Sequence, residues 1–203
     1  MNAIGVPNII ATKVGSGRRL VVERWLIREG GSLTAKAAFE VDLVIAELWE
    51  ASALPTQPFG HLLPASQEGR TRIGRRVPLG AISVISPWNF PLLLAMRAVA
   101  PALVLGNGVV LEPDVQTAIS GGAVIAELFT AAGLPEGLLH VLAGDAEPGQ
   151  ALCASPNIAM VSFTSIDRRR PSGRGSGRPH AQPCLGTSSS LQGRIPRTDR
   201  RSA

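Results

Sequence analysis

The chain has few of the residues from which metal centres and disulfide frameworks are built. Only two of its 203 residues are cysteine, Cys153 and Cys184, and their spacing matches neither a metal-ligand pattern nor a disulfide framework. Cys153 lies in an apolar, helix-like segment, so we expect a core thiol there instead of a nucleophile. We expect no metal ion.

The sequence also lacks the segments that direct a protein to a membrane. No basic-then-apolar leader is present near Met1, which argues against a secretory signal. The longest apolar stretch, residues 91–111, is broken by Arg97, Pro101 and a Gly-Asn-Gly turn, so it indicates helix, turn and strand instead of a membrane span. We therefore expect a cytoplasmic protein without membrane contact.

Positive charge is confined to the end of the chain. Residues 1–166 carry 11 Lys or Arg against 13 Asp or Glu, whereas residues 167–203 carry nine Arg against Asp167 and Asp199. Large apolar residues are almost absent from this tail, and the few present, such as Leu185, are too isolated to form a strand or helix face. Because such a segment cannot bury enough surface to offset chain entropy, we expect residues 166–203 to be disordered.

The Arg-rich tail raises the alternative of a nucleic-acid partner. Arginine side chains can contact the phosphates of nucleic acid. However, the tail has no aromatic side chains on which bases could stack. We therefore expect no nucleic-acid partner.

The first 80 residues are patterned as helix and ribbon. Residues 19–25 are rich in branched apolar residues and indicate a strand, and a helix is predicted from residue 34 to about residue 51. One face of that helix is apolar, with charged residues such as Glu40 placed elsewhere; its stripe comprises Val41, Val44, Ile45, Leu48 and Trp49. Residues 54–64, with three prolines, indicate a linker, and the alternation in residues 70–77 predicts a strand.

From residue 81 the pattern changes to alternating strands and helices. Strands are predicted at residues 81–85, 108–111, 138–142 and 158–163, with helices between them at residues 92–105, 117–132 and 147–154. Continuous Val, Ile and Leu strands alternating with amphipathic helices predict a parallel sheet covered on both faces. The fold class is therefore α/β, a partial Rossmann-like sheet over residues 81–165, preceded by helix and β-ribbon elements over residues 1–80 and followed by the tail.

A proline-bracketed turn is the most informative feature of the chain. Pro87 and Pro91 each fix φ and lack an N–H, so the turn between them is stiff. It places Asn89 at the carboxyl end of a buried strand, where open α/β sheets bind ligands. A side-chain amide held there can donate a hydrogen bond to a developing oxyanion. The alternative is a structural turn with Trp88 and Phe90 as core anchors.

Seven short motifs follow one another in order along residues 75–164. They read RRVPLG at residues 75–80, SPWNFPL at 86–92, APAL at 100–103, GNGVVL at 106–111, AELF at 126–129, AGLP at 132–135 and VSFT at 161–164. With these motifs the chain resembles the aldehyde dehydrogenase superfamily over residues 36–164. Two further stretches resemble the benzaldehyde dehydrogenase branch; they are ASALPTQPFG at residues 51–60 and PDVQTAISGG at residues 113–122.

The resemblance implies roles for residues at the carboxyl end of the sheet. Asn89 is the expected oxyanion donor, and the turn along the dinucleotide comprises Ile85, Ser86, Pro87 and Trp88. Where the family usually has Lys-Pro, with the lysine reaching the ribose hydroxyls, this chain has Glu112 before a proline. A carboxylate accepts hydrogen bonds from a ribose diol but repels a 2′-phosphate, so we expect NAD in preference to NADP.

Two glycines also belong to the implied cofactor site. Gly144 and Gly149 bracket the start of a helix, where backbone N–H groups can face a pyrophosphate. The alternative is that both serve only the strand–helix turn. In the position of the family's Gly-Ser, this chain has Ser165 and Ile166, so we expect NAD affinity to be weak or absent.

The catalytic groups of the family are absent from residues 165–203. The resemblance implies a cysteine thiolate that attacks the aldehyde and a glutamate that activates water, both beyond residue 164. Cys184 lacks the family's flanking residues, so we expect the chain to be inactive alone. We hypothesise that a frameshift or a misread gene replaced the remainder, which resequencing the gene tests.

Partners follow from the same resemblance. It implies an aldehyde substrate, benzaldehyde in that branch, and a β-ribbon used in oligomer contacts. We therefore expect a homo-oligomer, or pairing with a full-length homologue. The alternative function is a non-catalytic interaction protein that associates with such a homologue or, through its arginine tail, with an acidic partner.

Overall fold

The N-terminal part of the protein is a group of packed helices. The computed structural model describes residues 5–144, 146–164 and 184–186. Helix α1 (Val6–Lys13) continues through a π-helical turn (Val14–Arg18) into α2 (Arg19–Gly30), which ends at Gly31 with a φ of 61°. Helix α3 (Thr34–Ala53) contacts both α1 and α2, and its position confirms the predicted helix.

The strand predicted over residues 19–25 is wrong, because these residues begin helix α2. Val22 and Leu26, four residues apart, are buried, whereas Leu20 and Val21 are exposed. The run of branched residues favours a strand locally, but a helix places Val22 and Leu26 together against the other helices. Packing therefore overrides the local preference.

The apolar stripe of α3 is mostly buried, with one exception at each margin. Val41, Val44 and Leu48 have no exposed surface. Trp49, predicted in the stripe, is 49% exposed, and Glu40, predicted on the polar face, is fully buried. The burial of Glu40 follows from the helix at residues 91–104, which packs beside α3 on this side and donates a hydrogen bond to Glu40 from the Leu92 N–H.

A two-stranded ribbon follows the helices. After a 3₁₀ turn (Leu54–Thr56), β1 (Gly60–Leu63) pairs antiparallel with β2 (Arg72–Arg75). The predicted strand at residues 70–77 is confirmed, but the linker predicted for residues 54–64 is wrong over β1, whose backbone groups pair with those of β2. The ribbon is largely solvent-exposed, with Leu62 at 75% and Ile73 at 61%.

The predicted parallel sheet is confirmed. Its strands are β3 (Ala81–Ser86), β4 (Gly108–Pro113), β5 (Leu139–Val141), β6 (Ile158–Phe163) and β7 (Cys184–Gly186), in the order β5-β4-β3-β6-β7 with every pair parallel. The chain moves outward from β3 to β5 and then returns to the other side of β3. The carboxyl ends of β3 and β6 therefore flank a topological switch point, where sheets of this type bind ligands.

Helices cover both faces of this sheet, as predicted. Helix α4 (Pro91–Val104) joins β3 to β4, and α5 (Val124–Ala131) follows a 3₁₀ turn (Val115–Thr117) and a π-helical turn (Ile119–Ala123). These helices and α1 to α3 share one large core with one face of the sheet, including Val84 and Leu111. On the other face, α6 (Ala146–Ala154) packs Leu152 into a smaller cluster. Among the helices in the described residues, none is long and apolar enough to cross a membrane.

The tail differs from its prediction at one short segment. Most of the expected disorder, at residues 166–183 and 187–203, lies outside the described residues and stays a prediction. Cys184–Gly186, however, forms strand β7 beside β6, contrary to the expectation for Leu185. The edge of β6 offers backbone N–H and C=O groups, which an extended segment can satisfy whatever its side-chain pattern.

Candidate functional site

The carboxyl ends of three strands bring the predicted cofactor residues together. Ile85 on β3 is in register with Glu112 on β4 and with Phe163 on β6. The chain leaving each neighbour is bound back to β3, since the Asp114 N–H donates to Ser86 at 3.0 Å and the Thr164 N–H donates to Ile85 at 3.0 Å. Backbone hydrogen bonds therefore fix this edge on both sides of β3.

The turn that leaves β3 presents Asn89 beside this edge. Pro87 is buried and Asn89 is half-buried. The side-chain oxygen of Asn89 is buried without a hydrogen-bond partner in the described part of the chain. Trp88 is 47% exposed, so it is not the core anchor of the alternative interpretation, whereas Phe90 does pack against the core.

A buried carboxylate from another helix closes the turn. In α4, Phe90 has no side-chain oxygen to cap the helix and Pro91 has no N–H. Glu40 on α3 replaces the missing cap, because its Oε1 accepts hydrogen bonds from the Leu92 N–H at 2.9 Å and the Leu93 N–H at 3.2 Å. The carboxylate also lies at the positive end of the helix dipole.

Lys36 completes this arrangement. Its Nζ is 2.8 Å from the second oxygen of Glu40 and 4.4 Å from the centre of the Phe90 ring. One cation therefore neutralises the buried carboxylate and stacks on the residue that follows Asn89. The sequence did not lead us to predict a role at the site for Lys36 or Glu40. Their spacing of four residues on a helix is the only sequence feature that connects them, and this spacing is typical of many surface ion pairs.

Glu112 and Gly149, both predicted to bind cofactor, contact each other. The Gly149 N–H donates to the Glu112 carboxylate, and a Cβ on Gly149 would lie 2.7 Å from Glu112 Oε2. Glu112 is only 5% exposed, and its Oε2 has no hydrogen-bond partner among the described residues. Burial raises the pKa of Glu112 to about 7, although the Gly149 hydrogen bond opposes this rise.

Gly144 has a packing role next to this pair. A Cβ at Gly144 would overlap the ring of Pro148 in the first turn of α6, so the absence of a side chain lets the turn close. The Gly149 N–H, predicted to face a pyrophosphate, instead donates to Glu112. That Gly144 and Gly149 face a pyrophosphate therefore stays a prediction.

Each helix that follows a sheet strand begins against a glutamate from elsewhere in the chain. Glu40 binds the start of α4, Glu112 binds the first turns of α6, and Glu29 accepts hydrogen bonds from the Ile119 and Ser120 N–H groups before α5. Helix N-termini are anion-binding positions. In this protein these three positions are occupied by its own glutamate side chains.

The pKa of Glu112 predicts a pH-dependent stability. The pKa is about 7 in the folded protein and 4.5 for the unperturbed group, so Glu112 stabilises the fold in full below pH 4.5 and ceases to do so as the pH rises through 7. We expect the native chain to lose about 2 kcal/mol more than the Glu112→Gln variant between pH 5 and pH 8. Urea unfolding at both pH values measures this difference, and equal losses in the two proteins would contradict it.

Comparisons with known proteins agree with this architecture. Residues 16–167 match the aldehyde dehydrogenase family. The chain is 49% identical over 140 residues to a benzaldehyde dehydrogenase [NAD(+)] of Pseudomonas putida, covering 69% of this chain and 29% of that protein. It is also 49% identical over 155 residues to a vanillin dehydrogenase of Amycolatopsis, covering 76% of this chain and 32% of that protein.

Solved structures show the same relationship. A NAD-dependent benzaldehyde dehydrogenase from Corynebacterium glutamicum superimposes with a TM-score of 0.75 at 36% identity, covering 81% of this chain and 37% of that one. The chain thus spans about a third of the length of the relatives it matches. Because the family match covers most of the chain and contains the turn, the sheet edge and helices α2 to α6, this protein belongs to the aldehyde dehydrogenase family.

Proposed function

We propose that this chain carries the oxyanion-donor and cofactor-facing part of a site for NAD-dependent oxidation of an aromatic aldehyde to the carboxylic acid. The observation that supports it is Asn89, placed at the switch point of the sheet by a turn that has a proline on either side. The substrate class rests on the names of the relatives, which include benzaldehyde and vanillin dehydrogenases.

Asn89 has the chemistry that the reaction requires of this position. When a nucleophile attacks an aldehyde, the carbonyl oxygen gains negative charge, and an amide N–H aimed at it stabilises that charge. The stiff turn keeps the amide from reorganising during the reaction.

The residues present fit a dinucleotide only in part. Ile85, Ser86, Pro87 and Trp88 form an edge along which NAD would lie, and NAD when bound supplies the acceptor for the hydride of the aldehyde. Glu112 is buried against Gly149, so it would have to leave that contact to bind a ribose diol. We therefore propose weak NAD binding, and weaker binding of NADP because Glu112 repels a 2′-phosphate.

Residues 165–203 contain neither the cysteine motif nor the glutamate motif that supply the thiol and the general base in the family. Cys153 lies half-buried in α6 beside the Leu152 cluster, as expected of a packing residue. We propose that the 203-residue chain forms no product by itself unless a second chain supplies the thiol and the base. We also propose that this protein is located in the cytoplasm.

Measurement of NADH formation tests this function. The purified chain is incubated with benzaldehyde and either NAD or NADP, with the intact Pseudomonas putida relative as the positive control. We expect no reduced cofactor above the level of the blank without protein. Calorimetry should give a weaker affinity of the chain for NADP than for NAD. Turnover by the chain would contradict the proposed inactivity, and an Asn89→Ala variant would then show whether Asn89 stabilises the oxyanion.

A second candidate function is supported by the ribbon. Leu62, Leu63, Ile73 and Phe59 are all exposed on or beside β1 and β2, which favours association with another protein. We propose as the alternative a non-catalytic interaction protein that pairs with a second copy or a full-length homologue. Co-purification with an intact homologue, lost in a Leu62→Lys variant, would favour this alternative over the enzymatic one.

A further inference from the structure

Asn89 lies between two structural anchors of different kinds. On its N-terminal side, the end of β3 is held by backbone hydrogen bonds from Asp114 and Thr164. On its C-terminal side, the start of α4 is held by a side chain, the Glu40 carboxylate, which comes from 52 residues before Leu92 in the chain. The position of Asn89 therefore depends on where Glu40 places the first turn of α4.

The contacts of Glu40 are concentrated on the residues next to Asn89. Its Oε1 binds the N–H groups of Leu92 and Leu93, and Lys36, which pairs with its Oε2, contacts the ring of Phe90. Between Asn89 and Leu92 lie only Phe90 and Pro91, and Pro91 has a fixed φ. A shift of the first turn of α4 should therefore move Asn89 by a similar distance.

Stability alone does not account for this arrangement. A serine or threonine at position 90 would cap α4 locally, without the desolvation of a carboxylate. The chain has Phe90 there instead and uses a fully buried glutamate with a lysine partner. The result is a link between the N-terminal helices and the turn that presents Asn89.

We propose that Glu40, held by Lys36, is a positioning residue that orients Asn89 for its role as oxyanion donor. This inference rests on the proposed function for that role, but its test does not use turnover. Glu29 provides the comparison, because it makes the same type of contact at the Ile119 and Ser120 N–H groups and not at those of Leu92 or Leu93. It is a demanding control, since the adjoining Gly121 packs against Pro91.

The test is nuclear magnetic resonance of the full ¹⁵N-labelled chain. The side-chain amide signal of Asn89 is assigned by its loss in an Asn89→Asp variant. In Glu40→Ala we expect that signal to move and the Leu92 and Leu93 amides to exchange about tenfold faster. Glu40→Gln retains an acceptor oxygen and should restore most of the native Asn89 signal; in Glu29→Ala the Ile119 and Ser120 amides should exchange faster while the Asn89 signal stays in place.

Two results would overturn the proposal. One is an unchanged Asn89 signal in Glu40→Ala despite faster exchange at Leu92 and Leu93. The other is an equal movement of that signal in Glu29→Ala, which would indicate a general loss of stability. If Glu40→Ala does not fold, Lys36→Met takes its place, with Glu40→Gln as the variant expected to stay close to native, and an Asn89 signal unmoved in Lys36→Met counts against the proposal. NADH formation by the native chain would refute the proposed inactivity without affecting this result.

Discussion

Replacing Glu40 by alanine should lower the free energy of unfolding by about 3 kcal/mol. The substitution removes a carboxylate with no exposed surface and leaves the Leu92 and Leu93 N–H groups without their acceptor. It also leaves the partly buried Lys36 ammonium without its partner and opens a cavity between α3 and α4. Urea unfolding followed by circular dichroism measures the loss.

Glu47 on the same helix is the control for this substitution. Its carboxylate pairs with Arg97, also on α4, at 2.6 Å, but both side chains reach solvent. Exposed ion pairs contribute little, so Glu47→Ala should cost less than about 1 kcal/mol. Equal losses in the two variants would show that Glu40 is not the principal electrostatic link between α3 and α4.

Phe129→Ala should have the larger effect, with a loss of about 4 kcal/mol. Phe129 on α5 is fully buried in the large core that the N-terminal helices share with the sheet. Alanine leaves a cavity in a close-packed interior, in addition to the lost transfer free energy of the ring. The same urea unfolding experiment measures the change in midpoint at constant slope.

Phe39 provides a control of the same residue type. It lies on α3 with 55% of its surface exposed, so Phe39→Ala should change the free energy of unfolding by no more than about 0.5 kcal/mol. A small loss in Phe129→Ala, similar to that in Phe39→Ala, would mean that the helices and the sheet do not share one core in solution.

The sheet could be predicted because the same local sequence pattern, an apolar segment followed by a turn, occurs at each of its first four strands. Each strand is a continuous apolar run that ends in a turn, and the structure has strands at all four predicted positions. Helix α2 was not predictable in this way, because the branched residues at its start favour a strand until the contacts of Val22 and Leu26 with other helices are included. Strand β7 is similar, since only the edge of β6 accounts for it.

In the candidate site, too, features that are local in sequence could be predicted, whereas those that depend on packing could not. Asn89 and the turn from Ile85 to Trp88 are contiguous in sequence, so a motif was sufficient to predict that they lie together at the end of β3. The roles of Glu40 and Lys36 depend on the packing of α3 against α4, and no spacing within α3 indicates it. The contact between Glu112 and Gly149 likewise forms only when α6 lies on the sheet.

Our central proposal is that Asn89 is an oxyanion donor and that neither Cys153 nor Cys184 attacks an aldehyde. Intact-mass spectrometry after incubation with benzaldehyde and NAD tests it most directly, since a family-type thiolate would retain the acyl group before hydrolysis. We predict an unchanged mass. A benzoyl group on Cys153 or Cys184, reduced in amount by Asn89→Ala, would contradict the account.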